Sequence, residues 1–210
     1  MLQTIPRTQY ADRMHHIPIS FIREILKVAS QPGVISFAGG LPNPDFFPAE
    51  ELNEAAQEVL GSSDKSALQY TITEGLLPLR EYIAQQYLIN NGLKIDPSEI
   101  LITNGSQQGL DIIAKILINS GDKILMEDPT YLGAIQSFSA YQPHFITAPL
   151  EHDGIDLEML EQSVANHSVK MFYTVPNFQN PSGTTYSLEK RKAVAEKAME
   201  YNFIIVEDDP

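Results

Sequence analysis

The sequence has 210 residues, with 27 Asp and Glu against 14 Lys and Arg and a formal net charge of -13 at pH 7. So acidic a chain is a poor partner for nucleic acid or an anionic membrane surface, because phosphate binding needs clustered basic side chains. Its 43% hydrophobic and 20% charged content argues against disorder, and the absence of cysteine excludes a disulfide framework, a thiolate nucleophile and a zinc–cysteine site.

Met1 to Pro18 holds no apolar stretch of the kind a secretory signal needs, and no apolar run approaches the roughly 20 residues that cross a bilayer. The expected location is the cytoplasm, with no membrane or nucleic-acid partner. Residues 1–47 read as an arm that packs on something else, and residues 48–210 as a domain. A short helix is expected over Ile19 to Ala29, with Phe21, Ile22, Ile25 and Leu26 on one stripe. Gly39-Gly40-Leu41-Pro42-Asn43-Pro44 suits neither helix nor strand. The pair His15-His16 has no third ligand nearby, so no metal is expected there.

Pro48 sets up a helix to about Leu60. A second runs from about Leu76 to Asn90, with Leu79, Tyr82, Ile83 and Tyr87 as its apolar side and Asn91-Gly92 as its stop. From residue 100 the pattern alternates. Strands are expected at Ile100–Thr103, Lys123–Glu127, His144–Ala148, Lys170–Val175 and Phe203–Glu207. Helices are expected at Gln107–Asn119, around Tyr131–Ala140, and at Leu157–Ala165 and Leu188–Tyr201, the last with Ser187 as N-cap. Such alternation implies an α/β fold, a mostly parallel sheet with helices on both faces. Ser187-Leu188-Glu189-Lys190 and Ser62-Ser63-Asp64-Lys65 match a bare S-x-x-K, without the companion motifs of a penicillin-recognising enzyme.

Ligands of α/β sheets gather where strands end and helices begin. Four of the five strand ends carry unusual residues. Thr103-Asn104-Gly105-Ser106-Gln107 puts a glycine and two N–H groups at a helix N-terminus, where an anion is favoured; an ordinary helix-capping turn would look the same. Asp128-Pro129-Thr130-Tyr131 can place a ring over a flat ligand or into the core. Pro176 to Gly183 forms a rigid polar loop in which Asn180 can donate its amide, or simply an Asx-rich turn. Glu207-Asp208-Asp209 gathers three carboxylates that call for a compensating cation, metal or protonated ring nitrogen, unless they are a solvated strand end.

Taken in order, Gly105-Ser106-Gln107, Pro129-Thr130-Tyr131, Asn180-Pro181-Ser182-Gly183 and Asp208 resemble the large domain of the fold-type-I, pyridoxal-phosphate-dependent aminotransferases of class I/II. Gly39-Gly40-Leu41-Pro42-Asn43-Pro44 with Phe47-Pro48 resembles the aminoadipate/kynurenine subgroup, and Leu68-Gln69-Tyr70, Gly75 and Leu79-Arg80 are similar to that family's tyrosine-to-glycine segment. The resemblance covers about residues 17 to 210.

The resemblance implies pyridoxal 5'-phosphate as cofactor, with amino acid and 2-oxo acid substrates. Ser106 and Gln107, after Gly105, would hold the phosphate, Tyr131 would stack on the ring, Asn180 would bond its phenolic oxygen, and Asp208 would pair with its nitrogen. Gly39 and Gly40 would lie by the substrate. Tyr70 would reach the phosphate of a neighbouring subunit in a homodimer. The domain at 48–210 would be a partial large domain. All nine lysines precede Asp208, whereas the family's Schiff-base lysine follows it, so the 210 residues alone are expected to be inactive. The strand at 100–103 is expected to lie apart from the other four, because its neighbours in the family's sheet come later in the chain.

The same site residues would serve a carbon–sulfur lyase, a decarboxylase or a cyclopropane-forming synthase on this fold. A non-catalytic truncated fragment is a further reading. A transcription regulator with an aminotransferase-like domain would carry a basic winged-helix domain ahead of residue 17, for which this sequence has no room.

Overall fold

A computed structural model describes residues 10–15, 17, 33–35 and 42–209. The helix expected over 19–29, His16 and the glycine pair Gly39-Gly40 lie outside the described residues. The chain forms two compact units. One comprises residues 41–104, and the other residues 105–210 with the described part of 1–40.

In the first unit, α1 (Ala49–Gly61) starts directly after Pro48. Helix α2 (Leu77–Asn91) stops where Gly92 turns left-handed at φ 69° and returns its N–H to Leu88. The expected apolar side of α2 is not its buried side. Leu79, Tyr82 and Tyr87 are exposed, while Arg80 and Ala84 are buried. Arg80 is covered because its guanidinium is used locally: it donates to the Gly75 carbonyl (3.2 Å) and the Pro97 carbonyl (2.8 Å). A buried charge tolerates its site when its donors are matched in this way.

Residues 100–103 form no strand. A strand exists only with a ladder partner, and among the described residues this segment forms no ladder; the Ile102 N–H donates to the Glu74 carbonyl at 3.0 Å. Gly75, at φ 95°, permits that approach, since a Cβ there would lie 2.6 Å from Ile102 Cγ1.

The second unit carries the sheet. In chain order it has α3 (Ser106–Leu117), β1 (Lys123–Asp128), α4 (Leu132–Ser139), β2 (His144–Glu151), β3 (Gly154–Ile155), α5 (Leu157–Asn166), β4 (Val169–Thr174), α6 (Leu188–Tyr201) and β5 (Ile204–Glu207). The strand order is β3-β2-β1-β4-β5. All neighbours are parallel except the short β2–β3 hairpin, which the sequence reading lacked. The expected side-by-side set at 123–127, 144–148, 170–175 and 203–207 is therefore present, and residues 100–103 are not among its strands.

Successive residues of each strand face opposite layers. Ile124, Met126, Met171, Tyr173 and Val206 pack with Leu110, Ala114 and Phe138 of α3 and α4. Leu125, Phe172 and Ile205 pack with Leu160, Val164 and Val194 of α5 and α6. Each fully buried aliphatic side chain contributes about 1.5–3 kcal/mol, which explains why these short runs commit to strands. Local signals set the helix starts. Asp156 accepts from Met159 N at 3.0 Å to begin α5, and Ser187 accepts from Lys190 N at 3.2 Å to begin α6, as expected for the latter.

Candidate active site

Because β1, β4 and β5 are parallel, their C-terminal ends lie along one edge of the sheet. Thr174 is in register with Glu207. The loops that leave this edge carry Tyr131, Asn180 and Asp208, and the start of α3 adds Ser106 and Gln107.

Gly105 caps α3 at φ 83° and ψ 164°, a conformation essentially reserved for glycine. It leaves the amides of Ser106 and Gln107 in the first turn of α3, at an exposed helix N-terminus, where backbone N–H groups and the helix dipole favour an anion. The Gln107 side chain faces inward instead. Its amide donates to the Gly133 carbonyl (3.0 Å) and to the Ser137 hydroxyl, fastening α3 to α4.

Tyr131 is half-buried and precedes α4, with its ring packed on the core below. The ring lies over Gly133: a Cβ there would sit 2.5 Å from its Cε1 and 2.8 Å from its hydroxyl. Beside it, the Thr130 hydroxyl oxygen is buried with no hydrogen-bond partner among the described residues, a group that asks for a ligand or water.

Asp208 is half-buried at the end of β5. Its N–H donates to the Thr174 carbonyl at 3.0 Å, and its carboxylate accepts from the Tyr173 hydroxyl at 2.8 Å. Burial first, and then this bond to Asp208, push the Tyr173 phenol far above its usual range, so it remains a donor. Asp209 accepts from Asn177 at 2.7 Å. The three carboxylates are thus partly matched by neutral donors, without a cation among the described residues. No group of metal-ligating side chains occurs among them either.

Beneath the edge lies Glu127, fully buried on β1. It accepts from Thr174 Oγ1 (2.5 Å), Tyr186 OH (2.8 Å), Gln179 Nε2 (3.0 Å) and Val175 N (3.3 Å). Burial holds its carboxyl above the ordinary carboxylate range, against the pull of those donors. Asn180 itself is exposed in the loop above. That loop is also anchored by Arg191, which donates to the Pro176 carbonyl (3.0 Å) and Asn177 Oδ1 (2.7 Å).

The sequence profile described as "Aminotransferase class I and II" matches residues 34–209. The chain belongs to the class I and II aminotransferase family. It is 43% identical over 193 residues to the 2-aminoadipate transaminase of Thermus thermophilus, covering 92% of this chain and 47% of that protein. It is 42% identical over 206 residues to aromatic-amino-acid aminotransferase 1 of Thermococcus litoralis, covering 96% of this chain and 49% of that one. Among solved structures, the kynurenine aminotransferase of Pyrococcus horikoshii, in complex with PMP, superposes with a TM-score of 0.89 at 40% identity, over 97% of this chain and 51% of that chain. The chain spans about half the length of the curated relatives it matches. An uncharacterized HTH-type transcriptional regulator of Escherichia coli is also 30% identical over 195 residues.

The expected fold class is borne out: an α/β, mostly parallel sheet on the pattern of the fold-type-I aminotransferases. So is pyridoxal phosphate as the family's cofactor. An exposed helix N-terminus, a half-buried aromatic ring, an amide-bearing loop and a held carboxylate fit a flat ring that bears a phosphate and a protonated nitrogen. The residues the sequence reading missed are those below the edge, namely Glu127, Tyr173, Gln179 and Tyr186. A signal existed for one of them, since Glu127 directly follows the apolar run Ile124-Leu125-Met126.

Proposed function

We propose that the protein carrying this chain is a pyridoxal-phosphate-dependent aminotransferase that moves an amino group between an L-amino acid and a 2-oxo acid. The observation that carries this reading is the Asp208 carboxylate, fixed by Tyr173 and Thr174 at the sheet edge from which the Tyr131 loop also leaves. When bound, pyridoxal phosphate would supply an electron sink for the substrate's α-carbon.

The chain's own residues hold and orient it. The amides of Ser106 and Gln107, with the Ser106 hydroxyl, bind the phosphate. Gly105 keeps the backbone bare beside it. Tyr131 stacks on the ring. Asn180 donates to the phenolic oxygen. Asp208 keeps a proton on the pyridine nitrogen, because a carboxylate beside that nitrogen favours its charged form. Tyr70, 97% exposed on the other unit, reaches the phosphate of the partner in a homodimer. The protein works in the cytoplasm; no described helix is long and apolar enough to cross a membrane. Residues 1–210 by themselves are inactive. The relatives' names point to 2-aminoadipate, kynurenine or aromatic amino acids as donors.

The test is a product assay on the full-length protein with those donors and a 2-oxo acid acceptor. Formation of the donor's own oxo acid is the expected result. Release of ammonia would instead favour a lyase on the same fold, and no turnover at all a non-catalytic or regulatory member. Asp208→Asn is expected to lower kcat by about 10²-fold or more, the scale of removing one preorganised electrostatic group.

A further inference from the structure

Gln179, next to Asn180, is only 1% exposed, yet every polar atom of its side chain is engaged. Its Nε2 donates to Glu127 Oε2 at 3.0 Å and to the Pro129 carbonyl at 2.8 Å, and its Oε1 accepts from Ser182 N at 2.8 Å. Its backbone N–H donates to the Thr184 carbonyl at 2.8 Å, closing the loop on itself.

Only one orientation of the amide satisfies this set. Turned over, its oxygen would face a carboxylate and a carbonyl, and its NH2 would face an N–H. The three anchors belong to three different pieces: the buried end of β1, the turn that delivers Tyr131, and the loop that delivers Asn180. Glu127 is in turn locked by Thr174 and Tyr186, so the anchor is rigid.

We propose that Gln179 is a positioning residue that sets the Asn180 amide against the cofactor's phenolic oxygen by tying its loop to the Tyr131 turn and to Glu127. The inference rests on the assignment of Asn180 to that oxygen. An amide donor there stabilises the ionised oxygen, so losing it raises the pH at which the oxygen takes up its proton. Gln179 touches no cofactor atom in this scheme. Its removal acts only through where Asn180 points.

The experiment is a pH titration of the absorbance of bound pyridoxal phosphate in the full-length protein, with thermal unfolding measured alongside. Asn180→Ala is expected to raise the midpoint by about one pH unit, the scale of one lost hydrogen bond. Gln179→Met, similar in length and without the amide, is expected to raise it in the same direction. The double variant is expected to match Asn180→Ala alone, since residues acting through one contact are not additive.

A normal midpoint in Gln179→Met beside a shifted one in Asn180→Ala overturns the inference, whatever happens to Tm, because that outcome leaves Gln179 a stability role only. Fully additive shifts overturn it as well. An unchanged midpoint in Asn180→Ala removes the assignment of Asn180 and the inference with it. If Gln179→Met does not fold, Gln179→Asn keeps the amide one methylene short and is read on the same scale.

Discussion

A carboxylate shut away from water must be matched by donors or take up a proton. Glu127 does the first with four donors, and burial still raises its pKa. A raised folded-state value means that the folded chain holds this proton at pH values where the unfolded chain has released it. The stabilisation is complete below the ordinary carboxylate range and is lost as pH climbs through the raised value. It amounts to about 1.4 kcal/mol for each pH unit that separates the folded and unfolded values. Glu127→Gln cannot titrate. The wild type should lose Tm relative to Glu127→Gln as pH rises from about 4.5 to 8, and thermal unfolding of both proteins across that range measures it. Parallel curves would show that Glu127 does not titrate differently on folding. Sequence reading could not see this residue's role, because its partners Thr174, Gln179 and Tyr186 stand 47, 52 and 59 positions away. Asp208 was legible for the opposite reason: three adjacent carboxylates ending an apolar strand are odd without any knowledge of the fold.

At the scale of elements, α4 and the tyrosine ahead of it are coupled through Gly133. A helix interior ordinarily prefers alanine to glycine by about 1 kcal/mol. Here a Cβ would run into the Tyr131 ring, and a ring at the end of a rotatable side chain moves more easily than a backbone. Gly133→Ala should therefore leave Tm unchanged or slightly raised while weakening pyridoxal phosphate binding by about 2- to 10-fold, the range of one aromatic contact. A fluorescence titration of the cofactor-free protein with pyridoxal phosphate, next to a melting curve, checks both halves. Loss of Tm with unchanged affinity would place the ring's importance in the core alone.

Helix ends were readable because their signals are local. Ser187 and Gly92 act within four residues of themselves. The buried side of α2 was not, since Arg80 is covered by carbonyls at residues 75 and 97 that no periodicity encodes. The strand expected at 100–103 failed on the same principle, for β-structure is a property of pairs of segments and a sequence shows only one at a time.

Over the whole sheet, alternation of apolar strands and amphipathic helices was enough to give its parallel sense and the edge where ligands gather. The order β3-β2-β1-β4-β5 has a kinetic consequence. Strand β1 is central, paired on both sides, and Ile124, Leu125 and Met126 on it are buried to 1% exposure or less. Helix α1 has no buried residue. Amides of β1 should exchange with deuterated solvent only when the sheet opens as a whole, and more slowly than those of α1 by about 10²-fold or more; comparable rates would show that the sheet does not open as one cooperative unit. Glu127 and the turn to Tyr131 hang from the end of that strand. The framework that meets the ligand would then outlive many openings of α1, so that a ligand finds the same arrangement on each visit.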